Sequence, residues 1–245
     1  MLLNIDCKVI DNVSWINSDD CNFLAYNEVA VWRISITAHL KAIADYLLLL
    51  SPDELQRAGR YHHQKDRDRF TVSRGVLRNL LGRYLDMPAT QVEFETTANK
   101  KPFVKNAGNV QLHYNISHSG DYVLIAIASS ALGIDVEQKD MSFPFAEVLV
   151  HSFSAGEIDH IQQSPMPVEA FYKLWTRKEA LLKATGKGID DDMKLIPCLD
   201  GEHTVEANII KSAQNWYINT FDVMPNYACS LASDINIIAF FDGDF

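Results

Sequence analysis

The chain has 245 residues, of which 47% are hydrophobic and 22% charged, the composition of a globular protein that can bury a core. Its formal net charge of −10 argues against a general nucleic-acid-binding protein. No apolar run approaches the roughly 20 residues of a membrane span, and the first residues lack the features of a signal peptide. We therefore expect a cytoplasmic protein without membrane contact, and its four cysteines show no metal-ligand spacing.

The first half of the chain begins with a predicted strand and continues into helix. Residues 29–36 alternate apolar and polar side chains, as a strand does. Residues 51–54, Ser-Pro-Asp-Glu, have the signature of a helix start: a capping serine, proline in the first position and acids in the first turn. A charged helical stretch follows to about Leu85, with a predicted break near His62 and His63.

Two apolar segments in the middle of the chain predict neighbouring strands. Residues 122–128 are a candidate buried strand, and residues 132–137 form another. The Ser-Ser-Ala sequence between them, residues 129–131, is a plausible turn. We expect this turn to divide an N-terminal α+β half, residues 1–130, from a C-terminal α+β half, residues 131–245.

The second half continues with a helix and ends in strands. Residues 168–185 predict a helix that is closed by Gly186. From residue 204 onward, apolar runs recur about every dozen residues and predict antiparallel strands, at residues 205–210, 216–221, 227–231 and 235–241. Helices and strands in segregated runs predict an α+β fold rather than a doubly wound parallel sheet.

Asp135 and Glu137 form the first candidate site. They lie two residues apart on a predicted strand, so both point to one face, while Ile134 and Val136 point the other way, into a core. Two carboxylates held this close repel each other unless a cation lies between them, and oxygen ligands suit Mg²⁺. The same pattern also fits the end of a strand with one solvated acidic face, and the spacing does not separate the two interpretations.

A second candidate lies on the helix predicted for residues 168–185. Trp175, Glu179 and Lys183 are four residues apart and form one stripe along it. On spacing alone, Glu179 and Lys183 also fit a surface ion pair, worth about 0.3–0.5 kcal/mol. The large aromatic residues beside the pair favour a partly buried site.

Three further segments carry groups that could bind phosphate. The first is the charged helical stretch, which contains Arg57, Arg60, Arg67, Arg69, Arg74 and Arg78. The second is Asn-Lys-Lys-Pro at residues 99–102, and the third is Asn-Ile-Ser-His-Ser-Gly at residues 115–120, whose hydroxyls and backbone N–H groups could cradle an anion. The alternatives are a solvated helix face, an ordinary turn, and a histidine satisfied by local hydrogen bonds.

Taken in chain order, these segments resemble the 4'-phosphopantetheinyl transferase superfamily, in particular its larger, surfactin-synthetase-type branch. The matching motifs are Lys101-Pro102, residues 114–119 (Tyr-Asn-Ile-Ser-His-Ser), residues 133–137 (Gly-Ile-Asp-Val-Glu), residues 174–183 (Leu-Trp-Thr-Arg-Lys-Glu-Ala-Leu-Leu-Lys) and residues 186–188 (Gly-Lys-Gly). One position departs from the family pattern, because Lys100 replaces the usual glycine before Lys101. A second departure is Glu54, where some relatives carry a basic residue.

The resemblance implies a role for each candidate residue. Asp135, Glu137 and Glu179 would bind Mg²⁺. Coenzyme A would be contacted by a donor-rich set, Arg57, Arg69, Lys100, Lys101, Ser117, His118 and Lys183. Glu179 would accept a proton during the reaction, and Lys183 would neutralise or protonate the departing group.

The resemblance also implies an architecture and a reaction. The fold would consist of two similar α+β halves in a pseudo-twofold arrangement, with coenzyme A in the cleft between them. A serine of an apo acyl or peptidyl carrier protein would attack the phosphorus that bears the pantetheine arm and release adenosine 3',5'-bisphosphate. We expect the carrier protein to dock around residues 141–153, and two halves in one chain favour a monomer.

Two other functions compete with this one. A Mg²⁺-dependent pyrophosphohydrolase of coenzyme A-like nucleotides could use the same carboxylates without any carrier protein. A non-catalytic coenzyme A-binding module is the second alternative. The trio of Asp135, Glu137 and Glu179 beside Lys183 argues against the module, because binding alone does not need all four.

Overall fold

The computed structural model of the chain describes residues 1–24 and 27–243, and within these ranges it contains eight α-helices and twelve strands. The helices are α1 (Ile36–His39), α2 (Ile43–Leu49), α3 (Pro52–Gly59), α4 (Gln64–Tyr84), α5 (Ala146–Ser152), α6 (Ala155–Gln163), α7 (Pro167–Thr185) and α8 (Ala207–Ile210). The strands are β1 (Leu2–Ile10), β2 (Ile16–Asn17), β3 (Val29–Ser35), β4 (Phe94–Thr96), β5 (Pro102–Val104), β6 (His113–Ser119), β7 (Tyr122–Ala128), β8 (Leu132–Gln138), β9 (Gly201–Glu206), β10 (Trp216–Phe221), β11 (Tyr227–Ser233) and β12 (Ile238–Asp242). None of these helices combines the length and the apolar character that a membrane span requires.

Two five-stranded sheets carry the same motif. In the N-terminal sheet the strand order is β2-β12-β3-β7-β6, and in the C-terminal sheet it is β8-β11-β10-β1-β9. Each sheet and its long helix take their main elements from the chain in the same order, with other elements between them: β3, α4, β6 and β7 in the first half, and β8, α7, β10 and β11 in the second. In each set the third strand pairs antiparallel with both the first and the second. The predicted α+β fold with two similar halves is confirmed.

The first and last strands each lie in the sheet of the opposite half. β1 pairs parallel with β10 and antiparallel with β9, while β12 pairs parallel with β3. The antiparallel pairing predicted for residues 235–241 is therefore wrong for β12, because a strand's own pattern does not reveal its partner. The strand predicted for residues 205–210 is also wrong in part, because β9 ends at Glu206 and helix α8 follows.

The layers stack in the order α4, N-terminal sheet, C-terminal sheet, α7. Apolar residues of α4, such as Val76 and Leu80, pack with Trp32 against the outer face of the N-terminal sheet. A second core lies between the two sheets. Ala180 and Leu181 of α7 pack against the outer face of the C-terminal sheet. The two long helices therefore shield the sheets, and α7 carries the second candidate site.

Local signals in the sequence fix the ends of the main helices. Ser51 caps α3 with a complete capping box, and the chain leaves helix between Gly59 and Gln64, which confirms the predicted break. Gly186 ends α7 with a φ of 71°, the left-handed conformation that glycine adopts without steric cost.

Candidate active site

The two halves meet where strand β6 runs beside strand β8. Alternate side chains of β6 accept hydrogen bonds from alternate backbone N–H groups of β8: Ile134 N to Asn115 Oδ1 (2.8 Å), Val136 N to Ser117 Oγ (3.3 Å) and Gln138 N to Ser119 Oγ (3.0 Å). We call these three contacts the β6–β8 ladder. Because β8 is the edge strand of its sheet, the ladder satisfies N–H groups that would otherwise lack a strand partner.

The acidic pair lies on β8 beside this ladder. Asp135 is only 3% exposed and Glu137 is half-buried, and the intervening Val136 packs into the core between the sheets. Each carboxylate accepts a hydrogen bond from one ladder serine, Asp135 Oδ1 from Ser117 (2.9 Å) and Glu137 Oε2 from Ser119 (2.9 Å). The predicted common face is confirmed, and it turns towards helix α7 rather than towards open solvent.

Helix α7 adds a lysine to the acidic pair. Lys183 Nζ lies 2.6 Å from Asp135 Oδ1 and 3.0 Å from Ser117 Oγ. Lys183 therefore forms its ion pair with Asp135 on β8 and not with Glu179 one turn back on its own helix. This contact joins the two candidate sites into one.

The carboxylates lie close enough to disturb one another. Burial, and then the negative charge of Asp135, raise the pKa of Glu179 to about 7, while the positive charge of Lys183 opposes the shift. Burial and Asp135 also raise the pKa of Glu137. A group whose ionised form is destabilised by neighbouring carboxylates gains from a nearby cation.

A divalent cation suits the donors present here. Asp135 Oδ2 is buried and has no hydrogen-bond partner, which leaves one carboxylate oxygen free to act as a ligand. Oxygen donors alone are the ligands that Mg²⁺ prefers. Within residues 1–24 and 27–243, no three acidic, histidine or cysteine side chains already stand at metal-binding spacing. The donor chemistry therefore fits Mg²⁺, and the carboxylates would have to close around it.

Positive groups border the acidic centre on one side. The side chain of His118 is partly exposed. Burial of the rest of its ring, and then the positive charges of Arg69 and Lys183, lower its pKa. Arg69 is held by an ion pair with Asp66, 2.7 Å from Nη2 to Oδ1. Three of the predicted anion-binding residues, Arg69, His118 and Lys183, therefore lie close enough for their charges to affect one another.

Arg57 occupies a different setting. It is exposed in the last turn of α3, and its guanidinium carbon lies 5.2 Å from the centre of the Phe70 ring on α4. No contact among the described residues brings Arg57 to the acidic centre.

A pocket of about 220 Å³ opens between the two halves. Both halves line it, with Asn99, Lys100, Lys101, Pro102 and Asn115 on one side and Glu179, Leu182, Lys183, Gly186, Gly188 and Ile189 on the other. Four predicted site residues, Lys100, Lys101, Glu179 and Lys183, thus border a single cavity. A ligand in this pocket would contact both halves and lie beside the acidic centre.

The two lysines of the Asn-Lys-Lys-Pro turn differ in their contacts. Lys101 Nζ donates to the backbone carbonyl oxygens of Ala184 (2.6 Å) and Leu132 (3.1 Å), and burial lowers its pKa to about 8. Lys100 is exposed and has a φ of +61°. Lys101 therefore connects the turn to the end of α7, while Lys100 leaves its ammonium group in solvent beside the pocket.

Comparisons with known proteins identify the family of the chain. A family model described as 4'-phosphopantetheinyl transferase, N-terminal, matches residues 35–130, and one described as 4'-phosphopantetheinyl transferase superfamily matches residues 131–232. The 4'-phosphopantetheinyl transferase HetI of Nostoc sp. is 33% identical over 180 residues, which cover 72% of this chain and 76% of the relative. The chain belongs to the 4'-phosphopantetheinyl transferase superfamily.

Other members of the superfamily match more distantly. The 4'-phosphopantetheinyl transferase Sfp of Bacillus subtilis is 27% identical over 194 residues, which cover 77% of this chain and 84% of the relative. The human L-aminoadipate-semialdehyde dehydrogenase-phosphopantetheinyl transferase is 27% identical over 179 residues, covering 66% of this chain and 58% of the relative. These matches extend well beyond the motifs quoted above.

The alternative of a solvated helix face is wrong for two arginines of α4, Arg74 and Arg78. Arg78 is 3% exposed, with Nε 2.7 Å from Glu54 Oε2, and Arg74 Nε lies 2.9 Å from Glu54 Oε1. Glu54 is itself buried, and its carboxylate also closes the capping box with Ser51. These arginines hold α3 against α4, and a run of charges in a sequence does not show which of them turn inward.

The sequence analysis also did not predict that two charged residues of helix α7 are buried in ion pairs. It did not include Ser119 in the site. Arg177 and Lys178 are fully buried and pair with Asp200 and Glu157. The signal that points to Ser119 was present, because polar residues at 115, 117 and 119 share one face of a strand. The sequence does not reveal which strand that face would meet.

Proposed function

We propose that this chain transfers the 4'-phosphopantetheine arm of coenzyme A to a serine of an apo acyl or peptidyl carrier protein and releases adenosine 3',5'-bisphosphate. The observation that carries the proposal is the contact between Lys183 and Asp135, 2.6 Å across the site, beside an inter-half pocket in a member of this superfamily. The attacking serine belongs to the partner protein, so the enzyme requires no nucleophile of its own.

Glu179 is the proposed general base. Without a bound metal, burial together with Asp135 raises the pKa of Glu179 to about 7, and a bound cation would favour the ionised carboxylate that a general base requires. Its position in the pocket wall would place it beside a serine hydroxyl that approaches coenzyme A. Ionised Glu179 would accept the hydroxyl proton as the oxygen attacks phosphorus.

Asp135, Glu137 and Glu179 are the proposed Mg²⁺ ligands, supported by the unpartnered Oδ2 of Asp135. When bound, the ion would neutralise the pyrophosphate of coenzyme A and so reduce its repulsion of a nucleophile. The three side chains themselves present oxygen donors around one face of β8 and α7.

The positive residues would hold the anionic part of coenzyme A. We assign the phosphates to a set that borders the acidic centre or its pocket: Arg69, Lys100, Ser117, His118 and Lys183, with Arg57 and Lys101 as outer members. Lys183 is also the group placed to counter the charge on the departing bisphosphate, because it bridges the pocket wall and Asp135.

The two halves would contribute different groups to the site. Residues 1–130 would supply most contacts to the nucleotide, and residues 131–245 the metal ligands and the base. Because one chain provides both walls of the pocket, we propose a monomer as the working unit, in the cytoplasm. Residues 141–153 are the proposed docking segment for the carrier protein, where Met141 and Val150 are 55% and 62% exposed.

The deciding experiment is intact-mass spectrometry of several apo carrier proteins incubated with the enzyme, coenzyme A and Mg²⁺. A gain of roughly 340 Da, the size of one phosphopantetheine arm, that disappears with EDTA is the expected result. Metal-dependent breakdown of coenzyme A with no gain on any carrier would indicate the pyrophosphohydrolase instead. Binding of coenzyme A with neither product would indicate a non-catalytic module.

A further inference from the structure

Ser119 occupies a special position in the β6–β8 ladder. Its hydroxyl accepts a hydrogen bond from the backbone N–H of Gln138 (3.0 Å) and donates one to Glu137 Oε2 (2.9 Å). A hydroxyl has one proton to donate, and in this arrangement that proton goes to the carboxylate. The main chain of β8 and the side chain of Glu137 are thus linked through one oxygen atom of the other sheet.

Ser117 makes the equivalent contacts two residues earlier. It accepts from Val136 N and donates to Asp135 Oδ1. Asp135, however, has a second partner in Lys183. Ser119 is the one hydrogen-bond partner of the Glu137 carboxylate in the part of the chain that the structure describes. The position of Glu137 therefore depends on a single hydroxyl, whereas that of Asp135 does not.

The electrostatics of the site make this dependence consequential. Asp135 and Glu137 present their carboxylates on the same face of β8, and like charges held this close repel each other. Glu137 is half-buried near the end of its strand, so a carboxylate without a partner could rotate away from Asp135 into water. A hydrogen bond from Ser119 opposes this rotation.

We propose that Ser119 is a positioning residue that holds the Glu137 carboxylate beside Asp135, so that both can bind one divalent cation. The inference rests on the metal site of the proposed function and assigns that site a support from the opposite half. Partners that orient a metal ligand typically contribute 10–100-fold to metal affinity. The β6–β8 ladder would then join the halves and arrange the metal ligands with the same hydroxyls.

Two variants of equal shape separate the hydroxyl from its packing. Ser119→Thr keeps a hydroxyl that can donate to Glu137, whereas Ser119→Val replaces it with a methyl group. Both are β-branched and suit a strand. Tyr227→Phe is the control for contact between the halves, because the Tyr227 hydroxyl on β11 accepts from Asp121 N (3.1 Å) and Tyr227 does not line the pocket.

The readout is Mn²⁺ binding, followed by electron paramagnetic resonance with saturating coenzyme A and no carrier protein, so that nothing turns over. A parallel titration of coenzyme A without protein is subtracted. Thermal unfolding of each variant is measured alongside. We expect Ser119→Val to bind Mn²⁺ 10–100-fold more weakly than wild type, and Ser119→Thr to stay within about threefold of wild type, since it retains the oriented donor. Tyr227→Phe should lower the melting temperature while leaving Mn²⁺ affinity unchanged.

Three results would overturn the inference, and only the last of them would also remove the proposed metal site. Wild-type Mn²⁺ affinity in Ser119→Val would show that Ser119 serves the ladder alone, while the proposed metal site would stand. Equal weakening in Ser119→Val and Tyr227→Phe would likewise assign the effect to the joining of the halves. Absence of Mn²⁺ binding in the wild-type protein would remove the metal site of the proposed function, and the role of Ser119 with it.

Discussion

A β-carbon at Gly133 would collide with the carbonyl oxygen of Ala180, because strand β8 lies directly against the backbone of helix α7 at this point. The backbone nitrogen of Ala184 is equally close. Asp135 follows two residues later on β8, and Lys183 lies on the contacting turn of α7. Glycine is therefore required here for close approach, which in turn brings the ion pair between Lys183 and Asp135 within reach.

Replacing Gly133 with alanine should force β8 and α7 apart. Overpacking of this kind costs about 1–3 kcal/mol, which urea denaturation would measure, and phosphopantetheinyl transfer should fall further than stability alone explains. The matched control is Gly156→Ala, on α6, where a β-carbon meets open space. The control should be as stable as wild type or more so, because alanine favours helix. Equal stability of the two variants would contradict the close-approach argument.

Two lysines of helix α7 form ion pairs of different burial, and we expect their replacement to have unequal effects on stability. Lys178 is fully buried, with Nζ 2.8 Å from Glu157 Oε2 and hydrogen-bonded to the carbonyls of Met193 and Ile196. Lys178→Met would leave Glu157 buried and unpaired, at a cost of about 3–5 kcal/mol.

The control for Lys178 is Lys173→Met on the same helix. Lys173 pairs with Asp200, whose side chain is 58% exposed, and such surface pairs contribute about 0–1 kcal/mol. Chemical denaturation of both variants gives the comparison. Similar losses in the two would mean that Lys178 is not the structural residue that its burial indicates.

The features that the sequence predicts well are those decided within one element. The start of α3 at Ser51, the end of α7 at Gly186 and the shared face of Asp135 and Glu137 each depend on residues at most four apart along the chain. Periodicity and capping preferences act over that distance.

The features that the sequence does not predict depend on contacts between distant elements. The burial of Arg78 depends on Glu54, 24 residues away, and the parallel pairing of β12 depends on β3 at the other end of the chain. The contact of Lys101 with the carbonyl oxygen of Ala184, 83 residues away, is likewise invisible in the sequence around Lys101. An arginine or a lysine can face solvent, a ligand or another part of the protein, and a strand can pair with several others. Only the contacts made in the folded chain decide between these possibilities.

Glu179 should be needed for turnover and not for folding or coenzyme binding. Glu179→Gln keeps the shape of the side chain and removes the proton acceptor, so transfer should fall by about 10²–10⁴-fold, the usual contribution of a general base. Coenzyme A affinity, measured by calorimetry without added metal so that the loss of a proposed Mg²⁺ ligand does not enter, should change little by comparison. Transfer at the wild-type rate in this variant would assign the base to another group.

Lys100 is predicted to strain the turn in which it lies. Its φ of +61° is a conformation that costs a residue with a β-carbon about 1–2 kcal/mol, and glycine avoids that cost while losing about 0.5–1 kcal/mol of chain entropy. Lys100→Gly should therefore raise the free energy of unfolding by up to about 1 kcal/mol. Lys100→Ala removes the same charge and keeps the β-carbon, so it should show no such gain. A gain of equal size in both variants would trace the effect to charge instead of backbone.

Lys101 predicts a pH dependence of stability. Burial lowers its pKa from 10.5 to about 8 in the folded chain, so between these values the unfolded chain binds more protons at this residue than the folded chain does. Unfolding free energy contributed by Lys101 therefore rises with pH across this window.

Comparing wild type with Lys101→Met by urea denaturation at pH 7.5 and pH 9.5 isolates this contribution, since all other titrating groups are shared. The advantage of wild type over the variant should be larger at pH 9.5, where the neutral amine still donates to the carbonyls of Ala184 and Leu132 without the cost of a buried charge. Lys105→Met controls for the loss of one amine, because Lys105 is exposed and directly follows β5. If the advantage of wild type is the same at both pH values, Lys101 does not carry a buried charge at the end of α7.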